Sequence, residues 1–175
     1  MRKIGIIYWP KGGNVESVAE RIFNQFDKSY TDLFDASEIS ATDIVNYDFL
    51  IIGGSTTGSE TWHDVAKTNK WNDILGKLDD INLENKIVAV FGLGDQILWP
   101  GNFVDSMIEL RDEFEKRGAR IVGEWPTTGY KFTDSRSVVD GKFVGLAIDE
   151  DQQAELTNNR IQRWTDQIKK EFGLQ

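Results

Sequence analysis

The chain has 175 residues, 39% of them hydrophobic and 28% charged, and a formal net charge of −9. This is the size of one ordinary domain with apolar content sufficient for a packed core, which excludes a disordered chain. Lys and Arg number 20 against 29 Asp and Glu, which excludes a basic footprint for nucleic acid or for an anionic membrane surface.

Taken in chain order, the first apolar run is Ile4–Tyr8, continuous rather than alternating, which predicts a strand buried on both faces. Val15, Val18, Ala19, Ile22, Phe23 and Phe26 then fall on one face of a helix, with Asn14 as its expected N-cap. Thr31–Phe34, Phe49–Ile52 and Ile87–Phe91 are the next three strands. Phe103, Met107, Ile108, Leu110 and Phe114 mark a second helix, closed by Gly118. A weaker strand follows at Arg120–Gly123 and a last one at Val144–Ile148. The residues from Thr127 to Gly145 break the rhythm and read as an excursion between these two strands. Ile161, Trp164, Ile168 and Phe172 then lie on one face of a terminal helix. Strands alternating with helices predict a doubly wound α/β sheet in one domain spanning 1–175.

The acidity is not a tail: residues 1–90 hold 9 basic and 14 acidic side chains, and residues 91–175 hold 11 and 15. An even acidic surface suits basic protein partners. The chain has no cysteine and one histidine, His63, which excludes disulfides, thiolate nucleophiles, and metal sites built from cysteine or histidine. The first residues hold only a four-residue apolar run at 4–7, and no 18-residue apolar stretch occurs. A cytoplasmic, soluble protein is expected.

Half of the 16 glycines lie in three loops: Gly12 and Gly13; Gly53, Gly54 and Gly58; Gly92, Gly94 and Gly101. These loops follow the first, third and fourth predicted strands. In an open α/β sheet that is where ligands bind, and glycine lets backbone N–H groups approach an anion. Each loop also holds a tryptophan, Trp9, Trp62 or Trp99, which points to a flat aromatic ligand held by stacking.

FGLGDQILWPGNF (91–103), GYKFTDSRSVVDGKFVGLAIDEDQ (129–152) and LTNNRIQRW (156–164) resemble long-chain flavodoxins, as do IGIIY (4–8) and YDFLIIGGST (47–56). The pairing of GDQ (94–96) with LAIDEDQ (146–152) is the specific part of the likeness. The resemblance implies a three-layer α/β/α sandwich around a five-stranded parallel sheet of order 2-1-3-4-5. It explains the excursion as an insertion in the last strand. It further implies a low-potential, one-electron carrier that binds flavin mononucleotide (FMN) non-covalently, works between redox partner proteins as a monomer, and is not an enzyme. An NAD(P)H-dependent flavin quinone reductase, or a flavodoxin-derived domain with lost or altered flavin binding, is the alternative.

Carried over by position, Trp99 takes the place of the tyrosine that stacks on the solvent-side flavin face. Gly92, Gly94, Asp95 and Asn102 fall on ring-contacting positions, and Asp149 joins Asp95 in opposing negative charge on the reduced ring. Ser55, Thr56, Thr57 and Gly58 form the loop after the third strand. Thr57, Trp62 or His63 covers the inner face, and a carbonyl near Gly58 turns toward the ring. The phosphate loop departs from the family's hydroxyl-rich pattern. Here it reads Pro10-Lys11-Gly12-Gly13-Asn14-Val15, after Trp9, with three hydroxyl positions lost to Pro10, Gly12 and Val15. Each lost hydroxyl removes about 1.5–3 kcal/mol of hydrogen bonding to a charged group. The amides from Lys11 to Val15 remain as an anion nest, with Asn14 or Ser17 as side-chain donors and Lys11 as an added positive charge. Either phosphate is held with altered chemistry, or the loop prefers riboflavin, another flavin or no flavin.

Overall fold

The computed structural model describes residues 2–55 and 70–174. Nine strands are present among them: β1 (Ile4–Trp9), β2 (Thr31–Asp35), β3 (Phe49–Ser55), β4 (Ile87–Leu93), β5 (Arg120–Val122), β6 (Trp125–Pro126), β7 (Val138–Val139), β8 (Lys142–Phe143) and β9 (Leu146–Ile148). The four α-helices are α1 (Asn14–Phe23), α2 (Lys70–Leu75), α3 (Ser106–Glu115) and α4 (Ala154–Glu171). The main sheet runs β2-β1-β3-β4-β5, with β9 also paired to β4, and every pairing in it is parallel.

The central strands are continuous apolar runs because both of their faces are covered. Ile6, Ile7, Ile51, Ile52, Val88 and Val90 are fully buried. α1 packs against α4, and Arg21 of α1 reaches Glu150 just before α4 at 3.2 Å. α2 meets α3 through an edge-on contact of Trp71 with Phe114, centroids 6.3 Å apart. A helix pair on each side of the sheet is the three-layer arrangement that the alternation of elements predicts.

The last strand position is filled twice. β5 pairs with Ile87–Ala89 and β9 with Phe91–Leu93 of the same strand. The chain leaves after β5 and returns at β9, so the insertion divides one strand into two short pieces. The excursion is more ordered than the sequence pattern suggests. It forms a small antiparallel sheet, β6-β8-β7, whose two-residue strands are too short to show a period. Tyr130, Phe132 and Phe143 of the insertion pack around Phe103, which is 1% exposed. The insertion then braces the chain from Pro100 to Asp105. Thr133 and Asp134 amides donate to the Pro100 carbonyl, and the Ser135 and Ser137 hydroxyls donate to the Phe103 and Val104 carbonyls. The Arg136 amide donates to the Asp105 carboxylate at 2.8 Å.

Several boundaries differ from the sequence expectation. Gly13, in extended conformation, is the N-cap of α1, and Asn14 is its first helical residue. Phe103 precedes α3 instead of starting it. Val144 and Gly145 stand outside β9, and Gly145 lies against the backbone of Val90. Gly118 does close the segment after α3, with φ of +98°.

Candidate functional site

Parallel strands end on one rim of the sheet, and register places them there in line. Trp9 of β1 is beside Gly54 of β3, Gly54 beside Gly92 of β4, and Gly92 beside Ala147 of β9. Three of the loops singled out by their glycines therefore leave the same rim. β1 has β2 on one side and β3 on the other, so the chain reverses its winding there, the switch point outside which open α/β sheets bind their ligands.

The loop after β1 leads into α1. Gly12 has φ of +86°, a conformation that only glycine takes without strain. Gly13, Asn14 and Val15 open the helix, and no acceptor among the described residues takes their amides. Unpaired amides at the positive end of a ten-residue helix are an anion-binding arrangement. The three lost hydroxyls have structural counterparts: Pro10 and Gly12 are exposed, and Val15 is buried in the core at 3% exposure. Lys11 is not turned into the nest. Its ammonium lies 3.6 Å from Asp35 and 3.7 Å from Glu38, so the added positive charge is held by β2 and the turn after it. Burial alone would raise the Asp35 carboxyl, but the Ser37 hydroxyl and amide and the Lys11 ammonium outweigh it and hold it below the ordinary range. Ser17 accepts from Arg21 at 3.0 Å.

The loop after β4 is built around two side chains. The Asp95 carboxylate accepts the amides of Ile97 at 3.0 Å and Leu98 at 2.8 Å, closing a tight turn. The Gln152 carboxamide holds the same carboxylate from the other side. Gln96, 1% exposed, donates its amide and its side chain to Asp149 and accepts from the Lys131 amide. GDQ and LAIDEDQ thus meet in two crossed pairs, Asp95 with Gln152 and Gln96 with Asp149. On the turn they support, Trp99 is 39% exposed, and its ring is stacked on no other aromatic ring among the described residues. Ile97 and Leu98 beside it are exposed as well.

Several residues expected at the cofactor also hold the rim together. Asp149 is fully buried, with its second oxygen on the amides of Asp151 and Gln152, so it has no surface to offer a ligand. Gly92 is buried, and a Cβ there would stand 2.4 Å from Met107, so packing of α3 requires this glycine. Asn102 donates to Asp105 at 3.3 Å. Gly94 donates to the Ile148 carbonyl at 3.1 Å and is half-buried. Trp9 and Ser55 stand half-buried at the rim. Thr56, Thr57, Gly58, Trp62 and His63 lie outside the described residues.

Gln96, Gln152 and Glu16 are the residues that sequence reasoning passed over. The signal for the glutamines was present in the two motifs, and that for Glu16 in its place three residues after the Gly13 cap. Asp95 gives a pH prediction. Burial alone would raise its carboxyl, but the Leu98 amide, the Gln152 carboxamide and the Ile97 amide hold it below the ordinary 3.8. Its contribution to stability is therefore complete above that value and lost as pH falls through the lower folded value. Asp95→Asn is expected to flatten the stability–pH profile below pH ~4 relative to the unsubstituted chain. Superimposable profiles from urea unfolding would remove the turn-closing role of the charge.

An anion-receptive helix start at the switch point of an open parallel sheet, with an exposed tryptophan on a neighbouring rim loop, defines a nucleotide-binding protein of the doubly wound class. The family described as Flavodoxin matches residues 6–164. A flavodoxin of Nostoc sp. is 43% identical over 173 residues, 99% of each chain. Flavodoxin 1 of Escherichia coli K12 is 40% identical over 171 residues, 97% of this chain and 94% of that one. The crystal structure of Fusobacterium nucleatum flavodoxin bound to flavin mononucleotide superposes with a TM-score of 0.86 at 31% identity, over 98% of this chain and 99% of that one. The chain belongs to the flavodoxin family. Among the described residues no helix is long and apolar enough to cross a membrane.

Proposed function

We propose that this chain binds FMN non-covalently on the rim at the β1/β3 switch and carries single electrons between partner proteins, as an electron-transfer protein and not an enzyme. The observation that carries this is the set of Gly13, Asn14 and Val15 amides at the start of α1, which have no acceptor among the described residues and fit a phosphate. The exposed, unstacked Trp99 fits the solvent-side face of a flat ring. The names of the relatives, and the FMN bound to the Fusobacterium structure, support the same assignment.

A bound flavin supplies a ring that takes up and releases electrons one at a time. The amides of Gly13–Val15 hold its phosphate, with Trp9, Pro10, Lys11 and Gly12 shaping the loop. By the family resemblance the inner face falls to Ser55 and to Thr56, Thr57, Gly58 and Trp62, which lie outside the described residues, and the outer face to Gly94, Asp95, Trp99 and Asn102. Asp95, Asp149, Glu150 and Asp151 form an acidic cluster after β4 and β9, with Glu150 paired to Arg21. Burial, then the charges of Asp95, Asp149 and Glu150, push the Asp151 carboxyl up. That field opposes added negative charge nearby and lowers the potential of a ligand beside it. The even excess of acid suits basic reductases and acceptors met in brief contacts by a monomer. A cytoplasmic location and one domain over 1–175 complete the assignment.

Titration of the purified chain with FMN is the test. Quenching of flavin fluorescence and a bound-flavin absorption band are expected; a colourless protein that quenches nothing overturns the assignment. Trp99→Ala is expected to weaken flavin binding about tenfold to a hundredfold, from the stacking of one aromatic surface. Unchanged affinity would take Trp99 out of the site.

A further inference from the structure

The anion nest already has an anion beside it, and it belongs to the protein. Glu16, in the first turn of α1, turns back over the loop. One of its oxygens accepts the Gly12 amide at 2.7 Å, and the other accepts the Tyr8 hydroxyl at 2.8 Å. This is the geometry of a capping-box glutamate, reaching one residue beyond the cap. It holds Gly12 in its left-handed conformation and ties the loop to β1. It also places a carboxylate at the same positive helix end as the Gly13–Val15 amides, one residue from the nest. Lys11, the loop's own cation, does not offset this charge, since it is bound to Asp35 and Glu38.

We infer that Glu16 sets the discrimination between flavin mononucleotide and riboflavin in this chain: it orders the phosphate loop through Gly12 and Tyr8 and, by its charge, weakens the hold of the loop on a phosphate. Two anions at one helix start repel, and the ring and ribityl portions, being neutral, feel little of this. Among the described residues, the charged and titratable groups facing the loop are Tyr8 of β1, Glu16 of α1, Lys11 of the loop itself, and Asp35 and Glu38 of β2 and its following turn. Only Glu16 among them bonds to the loop backbone. The inference rests on the assignment of a flavin phosphate to this loop.

The test compares Glu16→Gln with the unsubstituted chain and with Glu20→Gln, an exposed glutamate one turn further along α1. Glutamine keeps a carbonyl acceptor and removes the charge. The ratio of riboflavin to FMN dissociation constants is expected to rise about fivefold or more in Glu16→Gln and to stay level in Glu20→Gln. A ratio that is unchanged or lower in Glu16→Gln, or that rises equally in both, overturns the inference. If the unsubstituted chain binds neither flavin, the proposed function fails on its own account. Inorganic phosphate then decides the point, followed by amide shifts of Gly13, Asn14 and Val15. Tighter phosphate binding in Glu16→Gln supports the role of Glu16, and equal binding overturns it.

Discussion

Asp149→Ala is expected to lower the stability of the fold by about 3–5 kcal/mol, because it leaves two donors of Gln96 buried without an acceptor and frees the turn amides of Asp151 and Gln152. In a chain of this length that corresponds to a thermal midpoint lower by roughly 10 °C. The consequence reaches the rim. Gln96 is held by Asp149 on one side and by the Lys131 amide of the insertion on the other. Trp99 stands three residues further on, its amide bonded to the Asp95 carbonyl at 2.9 Å. Flavin affinity is therefore expected to fall along with stability. A midpoint within a degree or two of the unsubstituted chain would show that Asp149 is not the hub of this loop.

Gly145→Ala is expected to be comparably severe. A Cβ at this position would stand 2.0 Å from the Val90 carbonyl oxygen and 2.7 Å from its carbon. Both are backbone atoms of the strand that pairs with β5 below and β9 above, so neither can move without opening one of the pairings. A loss of about 3 kcal/mol or more follows, or failure to accumulate as folded protein. Gly13→Ala is the matched control for stability, since its added methyl meets nothing within 4 Å. Equal urea midpoints for the two variants would contradict the close approach at Gly145.

The legible parts of the molecule are those whose causes are local. The parallel strands announce themselves because strands buried on both faces must be continuously apolar, as Phe49–Ile52 and Ile87–Phe91 are. The helices around Val18 and Trp164 are visible for the same reason, at a different period. The sheet within the insertion is not visible, since pairs such as Val138–Val139 carry no periodicity and are formed by partners across a hairpin. In the site, the glycine-bearing loops and Trp99 follow from sequence, but the duties of Lys11 and Asp149 do not. Lys11 has charge enough for a phosphate, and only the return of the chain at β2 shows Asp35 and Glu38 holding it. Asp149 looks like a surface carboxylate beside Glu150 and Asp151 until residues 53 positions away bury it.

The division of the last strand has a bearing on solubility. An exposed strand edge is a template on which another chain can pair and from which aggregates grow, and long flat edges are the most hazardous. On this side of the sheet the edge is two pieces of three residues each, β5 and β9, separated by the exit and return of the insertion. The first piece begins on the exposed Arg120, a charge that a docking strand would have to cover. The opposite edge, β2, has an exposed Asp32 at its second position. Neither side offers an uninterrupted, uncharged run, so neither edge is a ready template for pairing with another chain.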